Sequence, residues 1–425
     1  MSPRSKNDSE ELFSFFNNAS NNCVKYVENN SNTNYIFEKL YDQIKNGYNY
    51  ILHVKNQLGI PKFYNSKIKK INKNTRIIKP KKFTSKSFPK EIIEHINVNS
   101  VYEISYNFSL FNRNIKIHFI TEDPKTEKKI NVYNNYVDIM LNWLYITNIY
   151  SSEKCSKTLS IFVYLTTLKK SLPKSNTNIL DENNVNTAFT MTCIENSEIV
   201  IFRKEEWFKV FIHESMHNFG LDFSDMNIEP CKEIILNLFP VKSDVNLYEA
   251  YTEFWAEIMN ILFFSFFELD NKDDVKHFLN LTEYLINIER SYSFFQMIKV
   301  LDFMGLEYKD LYLKGSAKMR ENLYKEDTNV LSYYVITCIL MDNYQEFINW
   351  CYTNNTSLLQ FKKTEENQKK FCEFIVDKYI SKDFLKSVNC TKKIYTNAHI
   401  HYEDHKNKKL KFILNNTRMT IIEIF

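Results

Sequence analysis

Residues 205–220 read Glu205-Glu206-Trp207-Phe208-Lys209-Val210-Phe211-Ile212-His213-Glu214-Ser215-Met216-His217-Asn218-Phe219-Gly220. Trp207, Phe208, Phe211, Ile212, Met216 and Phe219 recur with helical period, which predicts a helix with one apolar face. Glu205 and Glu206 fall in its first turn, where acids complement the helix dipole. Gly220, one of five glycines in the chain, is the predicted stop. His213 and His217 stand four residues apart, so their imidazoles lie one above the other on one face and can reach a single ion. Glu214, next to the first histidine, is the candidate general base toward a water activated at that ion. An H-E-x-x-H pentapeptide arises by chance in on the order of one in a hundred such chains, so the surroundings must decide. Upstream, Glu198–Phe202 reads as a short strand and Val185–Met191 as another, giving the order strand, metal helix, stop.

A catalytic zinc takes three protein ligands and keeps one position open. Two are His213 and His217. The third is sought in residues 247–260, Leu-Tyr-Glu-Ala-Tyr-Thr-Glu-Phe-Trp-Ala-Glu-Ile-Met-Asn, a predicted helix with Ser243 or Asp244 as cap. Glu249, Glu253 and Glu257 recur every fourth residue on one face. Their neighbours Phe254, Trp255, Ile258 and Met259 are apolar, so the face is expected to be buried. A buried row of like charges is costly unless a cation neutralises it. One glutamate can ligate the metal, and another, a turn away, can hold the outer nitrogen of a histidine. A rival pattern, H-E-x-x-H-x-x-G, places its third histidine three residues past the glycine. Phe223 occupies that position and cannot ligate, although Asp222 and Asp225 stand close by.

H-E-x-x-H followed by a helix bearing E-x-x-x-E resembles the gluzincins, and Glu249-Ala-Tyr-Thr-Glu253-Phe-Trp-Ala-Glu257 is most similar to the third-ligand helix of the anthrax lethal factor type of metalloprotease. The resemblance covers the two motif helices and the strand order, roughly residues 100–260. It implies a zincin-like α+β domain, with Glu253 as the zinc ligand and Glu257 as its supporting acid. The register one turn earlier, Glu249 with Glu253, also fits the bare pattern. The implied activity is zinc-dependent hydrolysis of a peptide bond in a protein or peptide substrate, with Glu214 as base and then acid. Tyr248 and Tyr251 flank the ligand helix and are candidate donors to the developing oxyanion, Tyr248 being preferred. The strand at 185–191 could add an extended substrate to its open edge. The alternative is a catalytically inactive zincin-like structural or assembly protein.

The rest of the chain sets bounds. Its 425 residues suffice for two or three domains. A net charge of +4 excludes polyanion binding by bulk electrostatics. The 34 Phe and 27 Tyr, with abundant Lys, Asn and Ile, fit A+T-rich codon usage. Eight dispersed cysteines contain no C-x-x-C pair, which predicts free thiols in a reducing setting. The opening residues lack the apolar region of a secretory signal, so a cytoplasmic location is expected, with nuclear or virion association as alternatives. The longest apolar run, Ile258–Phe267, is too short and too interrupted to span a bilayer.

Four segments are expected: a helical 1–60, a basic linker or arm at 61–95, a zincin-like domain at 96–270 with a small mixed sheet, and a mostly helical 271–425. Residues 62–90 carry eleven Lys or Arg and no acid, so the remainder sums to −7. That stretch is a candidate contact for an anionic partner. Val101–Phe111 and Asn114–Thr121 alternate as a hairpin around Asn112-Arg113. Val132–Tyr150 reads as a helix and Leu159–Leu165 as a strand. His399, His401 and His405 read as a surface cluster, and His53, His95, His118 and His277 as isolated packing or surface residues.

Overall fold

The computed structural model describes residues 3–18, 23–72, 75–82 and 88–424, with the side chains of 3–7 left out. It is an α+β protein with one mixed six-stranded sheet and a helical C-terminal part. The strands are β1 (Lys67–Lys70), β2 (Tyr102–Leu110), β3 (Arg113–Thr121), β4 (Thr158–Leu165), β5 (Ala188–Thr190) and β6 (Asn196–Ile201), in the order β1-β2-β3-β4-β6-β5. β3, β4 and β6 are parallel. β1 and β2 form an antiparallel extension at one edge, and β5 an antiparallel edge at the other.

The β2–β3 hairpin turns on Phe111 and Asn112, with φ of 57° and 56°. Two positive φ values give the turn whose twist matches a hairpin. The turn sits one residue earlier than the sequence suggests because Arg113 is needed inside. Its buried guanidinium donates to Asn148 Oδ1 at 3.1 Å and Ser151 Oγ at 2.8 Å, anchoring the strand to the following helix, Ile130–Tyr150. That helix provides the crossover that two parallel strands require.

Strand alternation divides the sheet into two apolar faces. Ile104, Tyr106, Ile117, Ile161, Val163 and Ile199 point to the main core, where the crossover helix and the motif helix (Trp207–Asn218) pack. Phe162, Tyr164 and Val200 point the other way, onto Ile77, Phe88, Ile92 and Ile96. The basic stretch is therefore not a free linker. Its first part is edge strand β1. The chain then crosses the back of the sheet, with Tyr164 Oη donating to the carbonyl of Ile78 at 2.7 Å and the amides of Lys81 and Lys82 donating to the Glu198 carboxylate at 2.9–3.1 Å. Lys73 and Lys86 lie outside the described residues.

One apolar core runs from Val24 to Ile424 and draws on three of the four expected segments and on the start of the other (61–95), so their boundaries do not separate independent cores. Helix Ser31–Leu58 crosses the Ile130–Tyr150 helix so closely at Gly47 that a Cβ there would lie 2.2 Å from Asn142 Oδ1. Helix Leu247–Glu268 lies at the centre, buried almost throughout. Helix Val275–Phe303 packs beside it. Residues 416–424, irregular but nearly all buried, thread between this helix and the motif helix.

The cysteine expectation is overturned. Cys23–Cys390 and Cys155–Cys193 are disulfides, and Cys231, Cys338, Cys351 and Cys372 are buried thiols. Separations of 367 and 38 residues leave no local spacing signal for either pair. Cysteine usage thus no longer argues for a reducing setting. Among the described residues, no helix is long and apolar enough to cross a membrane.

Candidate metal centre

The motif helix ends in a left-handed Gly220, φ +66°, with Gly220 N donating to His217 O at 3.0 Å and Leu221 N to Met216 O at 2.9 Å. This pair of bonds closes the last turn and fixes His217 against the chain that follows. A Cβ at Gly220 would come within 3.2 Å of Cys193 Cβ, so the Cys155–Cys193 disulfide backs the turn. The helix start differs from expectation. Glu205 and Glu206 are buried, and Glu206 takes a left-handed conformation before the first turn. Rather than facing water at the dipole, Glu206 accepts the amides of Met419 and Thr420 at 2.6 and 2.8 Å and pairs with buried Lys170.

Motif helix and glutamate helix run in opposite directions, so Lys209, His213 and His217 meet Glu253 and Glu249 in turn. His213 Nε2 and His217 Nε2 are 3.1 Å apart, and Glu249 Oε2 is 3.1 and 3.3 Å from them. Four-coordinate zinc with bonds of about 2.0–2.1 Å sets neighbouring ligand atoms about 3.3 Å apart. Two imidazoles and one carboxylate converging at that spacing fit a zinc-type divalent cation. Among the described residues this is the one such group of three, its ligand atoms lying within 4.8 Å of one another. Burial alone would raise the Glu249 carboxyl, but His217 and His213 hold it well below the carboxylate range. Burial would lower His217, yet Asp222 and Glu249 push it well above the usual imidazole value.

The outer nitrogens are held as well. His213 Nδ1 meets Glu253 Oε2 at 2.9 Å, and His217 Nδ1 meets Asp222 Oδ2 at 2.6 Å. Such contacts fix ring orientation and tautomer. Three sequence assignments move as a result. Glu253 does not occupy the ligand position: one oxygen serves the outer face of His213 and the other pairs with buried Lys209. Glu249, from the register one turn earlier, is instead the glutamate whose Oε2 meets both Nε2 atoms. Glu257 lies one turn too far and touches neither histidine. It is buried with Oε2 unpartnered, and burial, with Glu253 and Glu289 nearby, raises its carboxyl well above the usual range. Asp222 of the rival pattern faces the outer nitrogen, and Phe223 belongs to the core.

Tyr248 packs edge-on against His217, with ring centroids 5.9 Å apart, but another phenol reaches the ligand atoms. Tyr333 Oη donates to Glu249 Oε2 at 2.9 Å, and its ring stands 5.9 Å from His213. It sits in a π-helical turn, Leu331–Ile336, a distortion common at functional sites. Tyr251 is turned away, donating to the carbonyl of Leu359 at 3.2 Å. Glu214 is buried beside the pair, and burial, opposed by the histidines, pushes its carboxyl up to about 7. It lines a cavity of about 30 Å3 with His213, Tyr333, Thr187, Ala188 and Met419. Thr187 and Ala188 lead into β5, which among the described strands pairs only with β6. Asn218 Nδ2 donates to Thr190 Oγ1 at 2.8 Å, tying that edge to the motif helix.

The remaining histidines stay apart from this group. His401 and His405 stack at 4.4 Å on helix Lys382–His405, and His399 Nε2 contacts Tyr395 Oη at 2.8 Å. His95 pairs with Glu122 at 2.7 Å and His118 with Glu103 at 3.3 Å. His53 and His277 are exposed.

No family profile matches the chain, and no solved structure resembles it significantly. It is 28% identical over 122 residues to an uncharacterized protein of Acanthamoeba polyphaga mimivirus, a stretch covering 29% of this chain and 30% of that relative.

Proposed function

We propose that this chain is a zinc-dependent metallopeptidase with a zincin-like active site, in which His213, His217 and Glu249 hold the ion and Glu214 is the general base. The observation that carries this reading is the convergence of His213 Nε2, His217 Nε2 and Glu249 Oε2 at zinc-ligand spacing, with both outer nitrogens held by carboxylates. A bound zinc supplies Lewis acidity toward water and toward the scissile carbonyl. The residues supply the rest. Glu214, with a carboxyl near neutrality, takes a proton from the attacking water and returns it to the leaving amine. Tyr333 Oη is positioned to swing from Glu249 toward an oxyanion, and β5, the last strand of the sheet among the described residues, is where an extended substrate could add.

A specific observation supports the non-catalytic alternative. His213, Glu214 and His217 are only 5%, 8% and 7% exposed, and the adjoining cavity holds little more than one water. A peptidase must open here to admit substrate, whereas a structural metal site need not. One experiment separates the two: zinc analysis of purified protein alongside digestion of a mixed peptide library, comparing wild type with Glu214→Gln. The peptidase reading requires stoichiometric zinc in both proteins and cleavage by wild type that falls about 10²–10⁴-fold in the variant. Zinc without Glu214-dependent cleavage establishes the alternative.

A further inference from the structure

The basic stretch has no role in the metal centre, yet the fold gives it a defined position. β1 is a fully exposed edge strand, Lys67-Ile68-Lys69-Lys70. Register fixes its faces: Ile68 lies opposite Ile104, which points to the main core, so Lys67 and Lys69 project from the back of the sheet beside Ser105 and Glu103. The chain then crosses that same back face to β6, carrying exposed Arg76, Lys79, Lys81 and Lys82 over it. Four strand spacings separate β1 from β6, so these cations spread over about 19 Å. Between them lie Asn107, Asn114 and Lys116, all exposed on β2 and β3.

None of the six cations has an ion-pair partner among the described residues, whereas exposed lysines elsewhere, such as Lys363 with Asp225 and Lys378 with Glu346, do. Residues 62–90 contain no acid; of the acids near them, Glu198 is buried and spent on backbone amides, Glu103 pairs with His118 and Glu94 with Lys90. The face therefore concentrates positive charge in a molecule whose remainder is negative. The character of its surface selects among polyanions. Among the described residues, no exposed tyrosine or phenylalanine lies on it to stack an unpaired base, and Ile68 points to the other side of its strand. This leaves ammonium, guanidinium and amide donors, suited to phosphates rather than to base edges or acyl chains.

We propose that the back of the sheet binds the phosphate backbone of double-stranded nucleic acid without sequence preference, on the face opposite the metal centre. A duplex presents one charge per about 1.7 Å of axis, enough for every cation here to find a phosphate. The test is fluorescence anisotropy of the full chain with a labelled duplex of mixed sequence across a salt series. With five phosphates contacted, log affinity falls against log salt with a slope of about −4.5, so the Kd weakens about 500-fold between 50 and 200 mM salt. A variant changing Lys67, Lys69, Arg76, Lys79 and Lys81 to Gln is expected to weaken binding at least about 100-fold at 50 mM salt and to flatten the slope. A control changing Lys276, Lys318, Lys382, Lys386 and Lys393 to Gln, with the same loss of charge, is expected to bind like wild type, as is Glu214→Gln. The ten lysine and arginine sites are exposed, and equal melting temperatures verify that each variant is folded. The proposal is overturned if wild type fails to bind at 50 mM salt, if the two five-site variants weaken alike, or if phosphatidylserine vesicles bind at 200 mM salt where the duplex does not.

Discussion

Exchanging Glu249 and Glu253 for glutamine, one at a time, tests the metal centre most sharply, because their geometry gives the two changes opposite profiles. Glu253 sits between His213 Nδ1 and Lys209 Nζ, deep in the core. Glu253→Gln leaves an oxygen for the histidine but removes the charge facing Lys209, whose nearest remaining carboxylate is Glu206 at 3.8 Å. Breaking a buried pair on one side costs about 3–5 kcal/mol, so the metal-free variant should unfold at much lower urea. Its zinc affinity should fall only about 10–100-fold, or about 1.4–2.7 kcal/mol, the usual effect of losing an outer partner. Glu249→Gln removes a ligand atom, so zinc affinity should fall by more than about 100-fold. Stability without metal should change less, since the Glu249 side chain is 13% exposed against 2% for Glu253 and pairs with no buried lysine. Competition with a chromophoric chelator reads the first quantity, and urea unfolding in excess chelator the second. Adding Lys209→Met to Glu253→Gln should recover stability, because replacing both partners removes the stranded charge. Zinc binding that survives Glu249→Gln but is abolished by Glu253→Gln would refute the assignment.

Three further outcomes follow from the same geometry. Tyr333→Phe keeps the ring against His213 and loses the hydroxyl, so kcat should fall about 10²–10³-fold with zinc content unchanged; a fall in zinc content instead would make Tyr333 a support of the ligand. Buried Glu289 accepts the amides of Ile421 and Ile422, and burial raises its carboxyl to about 7. The folded chain therefore holds a proton that the unfolded chain releases near 4.5, so stability is greatest below that pH and declines as pH rises toward 7. Glu289→Gln should gain on wild type between pH 5 and 7.5 by at most about 3 kcal/mol in urea melts; a constant difference would exclude this titration. Gly220→Ala imposes a positive φ on a side chain and crowds Cys193, so it should cost on the order of 1–2 kcal/mol and lower the melting temperature.

The sequence made the local chemistry legible and left the register open. Alternation in 101–121 and the apolar, β-branched run at 159–165 revealed strands, and four-residue spacing revealed the histidine and glutamate helices, because these signals lie within one element. Glu249 and Glu253 share a face and a residue type, so only the neighbouring helix distinguishes them. The missing clue was Lys209, four residues before His213 and therefore on the same face. A buried cation there claims the middle glutamate and leaves the first for the histidines. Tyr333 stands 84 residues from Glu249, within a local helix distortion that periodicity does not reveal. Val24 to Ile424 contribute to one core, so composition breaks at 61 and 95 marked changes of exposure rather than of domain. The two disulfides were invisible for the same reason: their partners meet only once the chain has closed on itself.

The threaded segment at 416–424 imposes an order on the birth of the molecule. Met419 lines the cavity beside Glu214, and the amides of Met419 and Thr420 satisfy Glu206 at the root of the motif helix. At about 5–20 residues per second, a ribosome reaches Met419 roughly 10–40 s after Glu206. Throughout that interval the nascent chain carries His213, Glu214 and His217 but lacks the wall that seats them. The wall beside Glu214 is completed only after residues 416–424 have been made and have folded back, so nothing that needs that wall can begin before then.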